Sequence, residues 1–306
     1  MPIPTPNILV YTEDLVLTPA AQASLKKWVA TLPPGKTRDM LTADLGRALP
    51  AADVAKAGFD CILVGLWHVH PGGAIYYNDF PINDNTRAAF TGSFKELKSA
   101  PGSTVKNVII SVGGGDGVSD DDYTNMKAAW STVGPALRQL FADSNADGVD
   151  WDYEPVTIPF DQRFISMITN QMASPAPPAK PYLVTAAPFT DKKDWQTVIE
   201  NTLFQGGTLP GNNFAWWNLQ LYGGADYIKW ITDLGKIRTG FSGNELQAFL
   251  VPGYSMSDCD SPPPIKEISD LRKTYTSLRG AFIWNYDGIQ GCAQDVASKI
   301  RKVFSP

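Results

Sequence analysis

The chain has 306 residues, 43% of them hydrophobic and 19% charged, which is enough apolar material for a large core and excludes a disordered polymer. A net charge of −5 at pH 7 leaves no basic footprint for nucleic acid, and no apolar run approaches the length of a membrane span. A neutral ligand suits this balance, and the length fits one barrel-sized domain over residues 1–306.

In chain order, apolar β-rich runs fall at residues 7–11, 61–66, 108–112, 148–152, 182–187, 218–222, 248–251 and 280–284. Helix-period stretches lie between them, among them 20–32, 122–142 and 266–278. Strands alternating with helices predict parallel pairing through right-handed crossovers, and eight repeats predict an α/β fold of the single (β/α)8 TIM barrel type. Ser119, Asp120, Asp121 and Asp122 precede Tyr123 as a cap and acidic first turn for a helix. The Pro-rich stretch 173–178 reads as a loop between the fourth helix and the fifth strand.

One run carries chemistry. Asp147-Gly148-Val149-Asp150-Trp151-Asp152-Tyr153-Glu154 sets its last three acids in alternation with bulky apolar residues. On a strand, Asp150, Asp152 and Glu154 share one face along about 13 Å, at about 3.3 Å per residue. Like charges so crowded raise one another's pKa, as an acid–base catalyst requires. A calcium loop would need a Gly-bearing turn and polar ligands where Trp151 and Tyr153 stand. His68 and His70 are two ligands at most and predict no metal site, and no cofactor motif is present.

Of three cysteines, Cys61 opens an apolar strand and reads as a buried thiol. Cys259 and Cys292 both fall in loops after late strands, and the spacing leaves their pairing open. The N-terminal Met1-Pro2-Ile3-Pro4-Thr5-Pro6 has neither the basic region nor the apolar core of a signal peptide.

Asp-x-x-Asp-x-Asp-x-Glu on a strand resembles the signature of glycoside hydrolase family 18, the chitinases and their relatives. Three further segments extend the likeness. Ser111-Val112-Gly113-Gly114 is similar to the family's Ser-x-Gly-Gly, Gln220-Leu221-Tyr222 to the Gln-x-Tyr of its plant-type and related microbial branch, and Trp284 ends the eighth strand. The resemblance implies a retaining, endo-acting chitinase that cuts β-1,4 links between N-acetylglucosamine units. In this family the substrate's own acetamido oxygen is the nucleophile.

By position, the resemblance implies Glu154 as general acid and then base. Asp152 orients the acetamido N–H, Asp150 shares a proton with Asp152, and Asp147 is structural. Tyr222 and Gln220 hold the acetyl group, Trp284 is the floor under the sugar, and Tyr11, Ser111, Gly113 and Gly114 complete the binding residues. Ser111 and Tyr11 are also expected to donate hydrogen bonds to Asp150. Gly223-Gly224 departs from the branch's Asn-rich continuation, which clouds sugar contacts in that loop.

Trp67, Phe189, Trp217, Tyr254 and Tyr286 stand at or past strand ends, as core or as groove. Between the seventh and eighth strands there is no room for the α+β insertion of many relatives, so an open groove is expected. The other readings are an endo-β-N-acetylglucosaminidase acting on N-glycans and a non-catalytic chitinase-like lectin. Chitin or an N-acetylglucosamine oligosaccharide is the expected partner, for a monomer in the extracellular space.

Overall fold

The computed structural model describes residues 8–115, 117–173, 181–204, 213–237 and 242–305. Eight strands follow one another: β1 (Ile8–Thr12), β2 (Cys61–His70), β3 (Asn107–Gly114), β4 (Gly148–Tyr153), β5 (Leu183–Ala186), β6 (Trp216–Gln220), β7 (Leu250–Ser255) and β8 (Ala281–Trp284). Each pairs in parallel with the next. β1 also pairs with β8, Ile8 opposite Ala281, and this closes the sheet into a (β/α)8 barrel.

The core follows from strand composition. All of β1 and all of β4 are buried, because a barrel strand faces the packed interior on one side and the helices on the other. On β4, Trp151 turns outward and its indole N–H donates to Thr169 Oγ1 of the helix Gln162–Ala173 at 3.1 Å. Asp150 and Asp152, in the alternate register, turn inward.

Several boundaries differ from the periodicity. The helix expected over 122–142 is two helices, Val118–Ala128 and Trp130–Ser144, parted at Ala129. The sixth strand begins two residues early and ends at Gln220, so Tyr222 stands in a 3-10 turn, Leu221–Gly223, released by Gly224 at φ +103°. Ala248 belongs to the helix Gly243–Phe249, and the seventh strand runs on through Pro252 and Gly253. Those two residues look like a strand stop. They persist because Phe282 of β8 lies so close that a Cβ on Gly253 would meet its ring at 1.8 Å.

β2 is the longest strand and projects past the barrel rim, where Ala74–Tyr77 pairs antiparallel against it. A small parallel pair, Val16–Leu17 with Leu49–Pro50, was not apparent from the pattern. Between β7 and β8 there is one helix, Ile265–Thr274, and no insertion, as the length predicts. Cys259 and Cys292 form a disulfide, and Cys61 is a buried thiol. Ser174 to Pro178 lie outside the described residues, as does Asn7. Among the described residues, no helix is long and apolar enough to cross a membrane.

Candidate active site

Register builds the site in layers. Ser111 of β3 and Thr185 of β5 are the Cα partners of Asp150, so three inward side chains meet at one level. Asp150 is fully buried and collects four donors. Tyr11 O–H (2.9 Å) and Ser111 O–H (3.0 Å) donate to one oxygen, and Thr185 O–H and Asn218 Nδ2 (3.1 Å) to the other. Burial pushes this carboxyl up, and the four donors pull it back part of the way.

One pleat higher, Asp152 faces Glu154. Burial, then the charges of Glu154 and Asp150, push Asp152 well above the usual carboxylate range, and its carboxyl is hydrogen-bonded to Glu154. Gln220 clasps the pair: its Nε2 lies 3.2 Å from Asp152 Oδ1, 2.7 Å from Glu154 Oε1 and 2.8 Å from the Ala187 carbonyl. The amide has two hydrogens for three oxygens, so the site is rich in acceptors.

Asp150 is expected to share a proton with Asp152; in the structure both oxygens of Asp150 accept two donors each, and the hydrogen-bond partner of the Asp152 carboxyl is Glu154.

Close approach of β3 makes the layering work. Gly113 has φ +107°, and a Cβ there would lie 2.2 Å from the Asp152 carbonyl oxygen, so only glycine fits. The Ser119 hydroxyl then ties the strand ends together. It accepts from the N–H groups of Gly114 (3.2 Å) and Glu154 (3.1 Å) and lies 2.6 and 2.9 Å from the Gly114 and Asp152 carbonyls.

An aromatic wall stands opposite the acids. Tyr222 is 38% exposed, and its ring lies parallel to Trp284 at 6.2 Å and edge-on to Phe282. Tyr11 packs beneath Trp284 at 5.2 Å. The Tyr222 phenol is pushed far up by burial and by the charges of Asp152 and Glu154, so it stays a hydrogen-bond donor at every working pH. Trp284 is half-buried and offers part of its indole to solvent. Glu154 and Trp284, both half-buried, and the exposed Tyr222 all stand at or just past the C-terminal ends of their strands, at the mouth of the barrel.

Other expected residues fall elsewhere. Tyr11 and Ser111, set among the ligand contacts, are 1% and 0% exposed and serve Asp150 instead. Gly113 and Gly114 are buried too, against Asp152 and Leu66, and present no surface to a ligand. Gln220 is also buried and spends its amide on the acids. Trp67, Trp217 and Tyr286 belong to the core, whereas Phe189 and Tyr254 are half-buried.

Asp147 is structural, accepting from Val108 N–H and pairing with Lys98. Asp120 and Asp121 stand in the first turn of the helix Val118–Ala128, as expected, but none of the residues 119–122 caps it. Gly117 stands at the N-cap, Asp120 accepts from Val156 and Thr157, and Asp122 accepts from Val69 N–H while facing His68 Nδ1 at 2.9 Å. His70 stacks on Tyr76. Among the described residues, no three His, Cys, Asp or Glu side chains are grouped to hold a metal ion.

Three residues of the site were not singled out from the sequence. Asn218 had a signal, since it stands two before Gln220 on the same strand face. Thr185 had a weaker one, alternation within a short run. Glu13, one residue past β1, had none, because its neighbours come from the far end of the chain: Asn285 Nδ2 donates to its Oε2 and Asp287 accepts from its backbone N–H at 2.9 Å.

No protein-family model and no curated protein sequence matches the chain. Solved structures do match in fold. A GH18 chitinase from Pseudoalteromonas aurantia superposes with a TM-score of 0.64 at 16% identity, covering 97% of this chain and 99% of that one. The catalytic domain of a family GH18 chitinase from the fern Peteris ryukyuensis gives 0.58 at 14%, covering 97% and 99%. A chitinase-like agglutinin from Robinia pseudoacacia gives 0.60 at 13%, covering 85% and 97%. The fold is thus one that chitinases and a chitinase-like agglutinin share.

Proposed function

We propose that this chain is a family 18 glycoside hydrolase, a retaining, endo-acting chitinase that cleaves β-1,4-linked N-acetylglucosamine by substrate-assisted catalysis. The observation that carries this reading is the buried Asp152 hydrogen-bonded to Glu154, both clasped by Gln220 at the end of the fourth strand, with the Tyr222 phenol close enough to feel their charges. Glu154 gives its proton to the glycosidic oxygen as that bond breaks. The acetamido carbonyl oxygen of the sugar attacks the anomeric carbon and forms a cyclic oxazolinium ion. Tyr222 donates a hydrogen bond to the acetyl oxygen and holds it for attack. Asp152 accepts a hydrogen bond from the acetamido N–H and, as a carboxylate, offsets the positive charge of the ring. Water, deprotonated by Glu154, then opens the ion with the original configuration restored.

Asp150 supports this scheme from below as a buried carboxyl held in place by four donors. Trp284 offers an apolar face for a sugar ring, and the short link between β7 and β8 leaves the groove without a side wall, which favours attack within a polymer. The intact acids weigh against the lectin reading that the agglutinin's fold invites.

The test is Glu154→Gln assayed on a hexamer of N-acetylglucosamine and, in parallel, on a high-mannose glycopeptide. We expect wild-type cleavage of the hexamer with internal products, loss of turnover by at least about 10³-fold in the variant, and retained oligomer binding. Near-wild-type turnover in the variant would sink the assignment of the acid, and cleavage of the glycopeptide alone would move the substrate to N-glycans.

A further inference from the structure

Glu13 is a carboxylate that the proposed chemistry leaves without a task. It follows β1 directly, two residues beyond Tyr11, and is half-buried. Its Oε2 accepts from Asn285, the residue that follows Trp284, and Asn285 Oδ1 in turn accepts from Gly288 N–H at 3.3 Å. Asp287 accepts from the N–H groups of Glu13 (2.9 Å) and Asp14 (2.8 Å), and the Glu13 carbonyl accepts from Asn78 Nδ2 at 2.7 Å. Backbone and side chain are both held, and the end of β1 is locked to the segment that carries the platform.

We infer that Glu13 is a positioning residue of the active site, which anchors the segment after Trp284 through Asn285 and sets a negative charge that acts on Asp152. This rests on the hydrolase reading only where Asp152 takes part in turnover.

The electrostatics agree with the geometry. Burial, then the charges of Asp287 and Asp14, push Glu13 up to about 7, and Asn285 pulls the other way. The charge of Glu13 is in turn among the causes that raise Asp152 and Tyr222. Other charged groups nearby do not cancel it. Asp14, Asp44, Asp79 and His68 share one small cleft with Glu13, and the cation there, Arg47, is paired with both Asp14 and Asp44. As pH rises through 7, Glu13 ionises and its charge opposes loss of the proton from Asp152. Removing that charge must let the proton leave at lower pH.

The experiment compares pH profiles of kcat/KM for the wild type, Glu13→Gln and Glu13→Asp on the N-acetylglucosamine hexamer, beside carboxyl 13C titrations of Asp152 in each. For Glu13→Gln we expect the alkaline limb and the Asp152 midpoint to move down by roughly half a pH unit, as one charge does across a half-buried mouth. Below about pH 6, where Glu13 is already protonated, kcat should stay within about threefold of wild type. Glu13→Asp, which keeps the charge, should hold the limb near its wild-type position. Coincident profiles and midpoints for wild type and Glu13→Gln overturn the inference, and so does an equal displacement in both variants. A folded wild type that releases no sugar sinks the hydrolase reading instead, and the Asp152 midpoints then decide this one alone.

Discussion

A carboxyl sealed from water is ordinarily protonated, and Asp150 shows what holds one near ionisation: two hydroxyls on one oxygen, a hydroxyl and an amide on the other. Asp152, a pleat away, accepts from Gln220, and the charges of Glu154 and Asp150 push it further up than burial alone does. Burial raises both acids on the strand, and it is their neighbours rather than their spacing that pull Asp150 back and push Asp152 on. The Tyr222 hydroxyl is the remaining polar group that faces them, and it donates without ever ionising in the working range. Tyr222→Phe removes that donor and leaves the ring against Trp284. By analogy with the loss of one preorganised donor to a developing charge, kcat should fall by about 10²-fold. Affinity for an N-acetylglucosamine oligomer, read by calorimetry, should fall by less than about tenfold, because the stacking surface survives.

At the scale of elements, the helix Val118–Ala128 is a brace for three strand ends. Ser119 gathers β3 and β4, Asp120 grips the loop after β4, and Asp122 grips the end of β2. The chain breaks at Ala129 so that this short helix can aim those side chains while Trp130–Ser144 lies along the barrel wall. Ser119→Ala removes the acceptor for the Gly114 and Glu154 N–H groups and the one hydroxyl donor to the Gly114 and Asp152 carbonyls. A loss of about 1–3 kcal/mol in urea unfolding is expected, with kcat lowered because the Glu154 backbone is released. Unchanged stability would mean that the strand ends are held without the serine.

Across the whole molecule, the barrel closes by β1 pairing with β8, and the same closure brings Glu13 to Asn285 and Asp287. The Cys259–Cys292 disulfide, with a sequence separation of 33, ties the loop after β7 to the region after β8. A closed loop of that length limits the unfolded chain by about 3–4 kcal/mol in the entropic account. Replacing both cysteines by serine should lower Tm by about 5–10 °C in a calorimetric scan. The hexamer turnover of that double variant should stay within about twofold of wild type, since neither cysteine touches the acids or Tyr222.

What the linear chain determined by itself is periodic or local. Alternation on 148–152 set Asp150 and Asp152 on one face, alternating strand and helix signals implied a closed barrel, and the short link after β7 excluded an insertion. Each of these depends on near neighbours along the chain, where the geometry of a strand or helix is already known. Tertiary structure alone decided who answers whom. Thr185 and Asn218 reach Asp150 from 35 and 68 residues away, Asp152 is hydrogen-bonded to Glu154 rather than Asp150, and the acids of the third crossover grip loops instead of capping a helix. Hydrogen bonds and fields act through space, so partners that close only when β1 meets β8 leave no mark in the spacing of residues. Glu13 and Asn285, 272 positions apart, are the clearest case.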